Sequence, residues 1–130
     1  MFLSDTARSL KVVLAGAVNS DQPEVKVSYE DIVHNLGDKV VPGETQTTTH
    51  DATAVSVCAA PAEVTTRKVT DFCLYNMDDA SVVASVLMVG GDVADHVITK
   101  VTLATLESLC WTPARGWHVL TVAGLLRETI

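Results

Sequence analysis

Apolar residues recur at every second position in a series of short stretches, and turn residues break those stretches at regular intervals. This period-2 pattern predicts strands with one buried side each. Residues 9–14 place Leu10, Val12 and Leu14 on one side, and residues 24–29 place Val25, Val27 and Tyr29 on one side. Further strands are expected at 54–59, 67–76, 81–89, 97–103, 108–112 and 117–121. In the clearest, 67–76, Thr70, Phe72 and Leu74 oppose Val69, Asp71, Cys73 and Tyr75. Between the strands, Asn76-Met77-Asp78-Asp79, Gly90-Gly91-Asp92 and Pro113-Ala114-Arg115-Gly116 have turn chemistry. Strands this short at this spacing predict a sandwich or barrel.

The segment 81–89 departs from simple alternation. Val82, Ala84, Val86 and Met88 oppose Val83, Ser85, Leu87 and Val89, so both sides are apolar. If Phe72, Leu74, Val86, Met88, Val101, Leu103, Leu109 and Trp111 fill the space between two sheets, then Cys73, Tyr75, Val83, Leu87 and Ile98 form a second apolar surface outside. Such surfaces usually mark interfaces. Either the N-terminal segment or another subunit is expected to cover this one.

Residues 1–43 differ in texture from the rest. Their second half, from Glu30 to Glu44, carries Gly37, Pro42 and Gly43 and reads as a loop or extended connection. The expected organisation is therefore an extended N-terminal arm with two strands over 1–43, followed by a sandwich core over 44–130. The Thr- and Gln-rich stretch 44–49 suits either an exposed edge strand or a plain loop.

With 130 residues the chain has the length of one domain with a sizeable core. Aromatics are only 5% of residues, so that core must be aliphatic and Val-rich, which favours strands. A net charge of −7 with only nine Lys and Arg argues against a nucleic-acid surface. No apolar run approaches the ~20 residues that span a bilayer. The short run Val12 to Val18, after Arg8 and Lys11 and ending Ala-Gly-Ala, has a signal-peptide flavour, but Asp5 dilutes its basic flank and a cleaved signal is not expected.

Catalytic chemistry is not visible in the pattern. Cys58, Cys73 and Cys110 have no CxxC spacing and are expected as reduced thiols in strands, although a cross-strand pair could meet disulfide geometry. His34, His50, His96 and His118 lack local ligand partners; Asp92 with Asp95 and His96, or His50 with Asp51, reads better as solvated turn residues than as a metal site. The adjacent acids Glu30-Asp31 and Asp78-Asp79 read the same way rather than as a glycosidase pair. No nucleophile elbow or phosphate-binding glycine loop is present. Trp111 and Trp117 fit core anchors better than a sugar-stacking platform. No catalytic residue, metal or cofactor is expected, and the chain is not expected to be an enzyme.

At Ala60-Pro61-Ala62, Arg67-Lys68-Val69-Thr70-Asp71-Phe72, Tyr75-Asn76-Met77-Asp78, Lys100-Val101-Thr102-Leu103 and Trp117-His118-Val119-Leu120 the chain resembles small virion structural proteins of tailed bacteriophages. The segment from Ser9 to Val18 with Val27-Ser28-Tyr29 is similar to their N-terminal parts. One departure is the turn Thr105-Leu106-Glu107, where such proteins often carry a Gly; Leu106 is unexpectedly apolar there. The resemblance implies a virion part: a capsid decoration (cement) protein, a head fibre or a tail component.

Together these readings give an all-β, jelly-roll-like antiparallel sandwich on the capsid surface, assembled in the bacterial host cytoplasm. It would bind the major capsid protein as a homo-oligomer, dimer or trimer, with no nucleic acid or membrane partner. The expected interface is Leu10, Val12 and Leu14 on the arm with Tyr75, Val83, Leu87, Ile98 and Leu106 outside the core. The alternative is a tail or head-fibre module that binds carbohydrate through Trp111 and Trp117.

Overall fold

The computed structural model describes residues 1–3, 6–90 and 95–127. Eleven strands are present among them: β1 (Phe2–Leu3), β2 (Ser9–Leu14), β3 (Glu24–Val33), β4 (Lys39–Thr48), β5 (Val55–Cys58), β6 (Thr65–Tyr75), β7 (Val82–Val89), β8 (His96–Leu103), β9 (Ser108–Thr112), β10 (Gly116–Leu120) and β11 (Leu126–Arg127). A single 3-10 turn, His34–Leu36, joins β3 to β4. Gly91 and Asp92 of the expected turn, and Asp92 of the weighed metal cluster, lie outside the described residues.

The strands form two antiparallel sheets packed face to face. The larger has the order β11-β10-β9-β6-β3-β4, with β1 added beside the first half of β6; the smaller has the order β5-β2-β7-β8. Their facing sides interdigitate as the alternation requires. Val25, Val27, Phe72, Leu74, Leu109 and Val119 come from the larger sheet, and Leu10, Val12, Leu14, Ala84, Val86, Val101 and Leu103 from the smaller, all buried. Each fully buried Val or Leu contributes about 1.5–3 kcal/mol, so a core almost without aromatics suffices. Phe72 is its one fully buried ring.

Residues 1–43 do not form an arm. β2 pairs with both β5 and β7, and β3 pairs with both β4 and β6, so the N-terminal segment supplies interior strands to both sheets. The physical reason is visible in β2: its strict alternation of half-buried and buried positions fits a strand that has neighbours on both edges. Leu3 of β1 is also fully buried, and the Met1 carbonyl accepts the Val69 N–H.

The expected loop over 30–44 is instead the far half of a long hairpin. β3 and β4 stay in register from Glu24 with Thr48 to Val33 with Lys39. Pro42 is tolerated because β4 is the sheet edge, where a missing N–H breaks no ladder bond. Gly43 is needed because the Tyr29 ring lies against it: a Cβ at 43 would stand 2.7 Å from the ring. The Thr- and Gln-rich stretch is the rest of this edge strand.

Gly90, at φ +102°, ends β7 beneath the backbone of Ala7. A Cβ there would sit 1.7 Å from the Ala7 carbonyl oxygen, so only glycine fits this crossing.

Candidate interaction surfaces

The turns at one end of the sandwich are organised by Asn76 and Asp78. Asn76 is fully buried; its Nδ2 donates to the carbonyls of Ala80, Leu103 and Ala104 at 3.1 Å, and its Oδ1 accepts the Asp78 N–H. Its backbone N–H donates to the Glu107 carbonyl, while its carbonyl accepts the Leu106 N–H. One side chain thus joins the β6–β7 turn to the β8–β9 turn.

Asp78 is only 1% exposed, and its carboxylate accepts the backbone N–H groups of Asn19, Ser20 and Asp21 at 2.7–3.2 Å, plus the Ser20 hydroxyl. Those N–H donors, that of Asn19 first, hold its acid strength far beyond the usual carboxylate range. Asp51 does the same from the other side, accepting from the Val18 N–H and the Gln22 amide; both bonds lower its pKa. The expectation that these two are solvated turn acids is therefore corrected. They pin the loop between β2 and β3, and their carboxylates are committed to the donors of that loop, which leaves them unsuited to general acid or base work.

Arg67 is a third fixed point. Its Nε and Nη2 make a two-pronged ion pair with Asp31 at 2.8 and 2.9 Å, its Nη1 donates to the Ala59 carbonyl, and its guanidinium stacks 4.0 Å over the Tyr29 ring. Bonding to Asp31 raises its pKa further. Asp31 is thus a structural partner on β3, and the expectation that it is a solvated turn acid is corrected.

The eight expected interface residues separate into four groups. Leu10, Val12 and Leu14 are buried in the core and face the larger sheet, so they are not available to a partner. Alternation alone identified their apolar side but not what that side would meet. Val83 and Leu87 do point outward from β7, half-buried, beside Lys11, Lys100 and Thr102 on neighbouring strands. Ile98 is the extra residue of a bulge between the Val86 and Leu87 pairings and packs against the core instead.

Tyr75 and Leu106 are brought together at the turn end of the larger sheet. Register places Tyr75 beside Ser108, then Leu120, then Leu126 across β6, β9, β10 and β11, on the outward side. Met77 and Leu106 stand in the adjoining turns, tied to each other through the Asn76 carbonyl. Tyr75, Met77, Leu106 and Leu126 are 38%, 41%, 41% and 50% exposed, which makes a strip of apolar side chains open to solvent. Met77, Leu120 and Leu126 were not anticipated. Leu125-Leu126 after Gly124 was the available signal, but β11 is too short to register as a strand.

Behind the strip, Glu107 is buried and bonded to Arg127 at 2.8 Å, and Arg127 also donates to the Thr102 carbonyl of β8. Arg127, Ser81, Val83, Lys100 and Thr102 line an open depression of about 500 Å³ on the smaller sheet's outer side. It is open to solvent, unlike an enclosed small-molecule site.

Trp111 and Trp117 are cross-strand partners on β9 and β10. Trp117 meets Phe72 edge-on, with centroids 5.1 Å apart, and both indoles pack against the core. Cys73, Cys110 and His118 lie side by side on β6, β9 and β10 at the outer side of the same sheet. Among the described residues no group of three His, Cys, Asp or Glu side chains is placed to hold a metal ion, and no helix is long and apolar enough to cross a membrane. No protein-family model, curated protein or solved structure matched this chain.

Proposed function

We propose that this protein is a non-enzymatic structural component of a tailed-bacteriophage virion: a jelly-roll-like capsid decoration protein that caps joints between major capsid subunits. In this reading it assembles in the host cytoplasm and sits on the shell as a small homo-oligomer. The observation that carries the binding part is the solvent-open strip Tyr75, Met77, Leu106, Leu120 and Leu126. Burying it against a partner would recover roughly 25 cal/mol for each Å² of apolar area. The virion part rests on the motif resemblance in the sequence.

One feature supports bridging rather than simple attachment. The outward side of β7, with Val83 and Leu87, belongs to the opposite sheet from the strip, so one molecule can touch two neighbours at once. Binding only the assembled shell stabilises it by linkage, and many such contacts act together. The sugar-binding alternative is weakened by the tryptophans, whose rings are engaged with Phe72 and the core.

The test is co-sedimentation with expanded capsid shells. Saturable binding at fixed stoichiometry and a higher shell-disruption temperature are expected, both lost in Tyr75→Ser combined with Leu126→Ser at unchanged protein Tm. A strict monomer in light scattering at high concentration, together with no shell binding, would overturn the reading.

A further inference from the structure

Cys73 on β6 and Cys110 on β9 are direct cross-strand partners. Facing residues on antiparallel strands have Cα atoms about 4.5–5.5 Å apart, inside the roughly 4.4–6.8 Å that a disulfide spans. The two sulfurs already stand 3.6 Å apart, with the Cys110 S–H directed at Cys73. Both point to the outer side of the larger sheet, and Cys73 is partly exposed there while Cys110 is 9% exposed. The third cysteine, Cys58, is fully buried in the other sheet.

We propose that Cys73 and Cys110 form a thiol-oxidation site, a cross-strand dithiol that closes to a disulfide by exchange with a low-molecular-weight disulfide. Cys73 is the entry point. It accepts the Cys110 S–H, and that bond favours its thiolate; the same pairing and burial disfavour ionisation of Cys110. The Cys73 thiolate attacks one sulfur of the incoming disulfide, forming a mixed disulfide and releasing one thiolate. Cys110 then gives up its proton and attacks the Cys73 sulfur; the second thiolate leaves and takes up a proton. The protein loses two electrons and two protons, which reduce the small disulfide to two thiols.

Closure requires the sulfurs to approach by about 1.5 Å, to the usual ~2.05 Å bond. The new bond staples β9, and with it the β10–β11 edge, to the central strand β6. It bridges positions 37 residues apart, a loop long enough for the constraint on the unfolded chain to raise Tm by roughly 10 °C. Cys58 stays reduced because burial raises its pKa and keeps reagents away.

The test treats the full chain with oxidised glutathione and maps its peptides without reduction. The expected result is a Cys73–Cys110 linked peptide, Cys58 alkylated only after denaturation, and a Tm gain that a reductant reverses. Cys58→Ser should keep both the link and the gain; Cys73→Ser and Cys110→Ser should each lose them. Glutathione persisting on Cys73 in the wild-type chain, a link that includes Cys58, intermolecular dimers as the main product, or no reaction would each overturn the proposal. The wild-type peptide map decides even if a serine variant fails to fold.

Discussion

The Tyr29 ring covers Gly43 on the neighbouring strand and is itself covered by the Arg67 guanidinium, 4.0 Å from its centroid. The stack reads Gly43, Tyr29, Arg67, and Arg67 continues it into the Asp31 ion pair. A methyl group at 43 cannot fit unless the ring swings away, which would also strip the aromatic face from Arg67. We expect Gly43→Ala to cost about 1 kcal/mol, the size of one such cation–π contact. Urea unfolding of Gly43→Ala, Tyr29→Ala and the double variant checks it, since the glycine substitution should become nearly neutral once the ring is gone.

Asn76 is expected to be the most sensitive polar position. Asn76→Ala strands three buried or half-buried carbonyls and the Asp78 N–H at once. Leaving buried groups unsatisfied costs about 1–3 kcal/mol each when nothing replaces the partner; with water reaching the outer acceptors, a total near 3 kcal/mol and a Tm loss of roughly 10 °C follow. Differential scanning calorimetry measures this directly. A loss no larger than that of an exposed turn substitution such as Asp79→Ala would contradict the hub role.

Asp78 predicts a specific acid sensitivity. Its folded pKa lies below the unfolded value of about 3.9, so its contribution is fully present above that pH and is lost as pH falls below it toward the folded value. Asp78→Asn lacks the charge at every pH. The Tm gap between wild type and Asp78→Asn should therefore be constant from about pH 5 to 8 and shrink below about pH 4. A gap that widens in acid would exclude a stabilising ionised Asp78.

The strand pattern was legible because alternation is a local property: β2, β6 and β9 read directly from their spacing. What failed depended on neighbours. Pro42 and Gly43 are breakers in isolation, yet an edge position and an overlying ring accommodate them. Leu10, Val12 and Leu14 were identified as one apolar side, but only pairing with β5 and β7 shows that this side is core. Asp78 carries no sequence mark separating it from exposed Asp79, because its donors come from residues 19–21. The Cys73–Cys110 contact depends on the β6–β9 register, which spacing along the chain does not reveal.

Leu106 separates stability from binding. It holds φ at +65° with its side chain 41% exposed, a left-handed conformation that costs a non-glycine residue about 1–2 kcal/mol. Leu106 bears that cost without joining the buried core. Leu106→Gly relieves the strain but loosens the unfolded chain, which opposes part of the gain; a net stabilisation of about 0.5–1 kcal/mol is expected. If the strip is the docking surface, the same substitution should weaken shell binding at least several-fold while Tm rises. Calorimetry and co-sedimentation on one sample decide the matter: a higher Tm with undiminished binding would remove Leu106 from the interface.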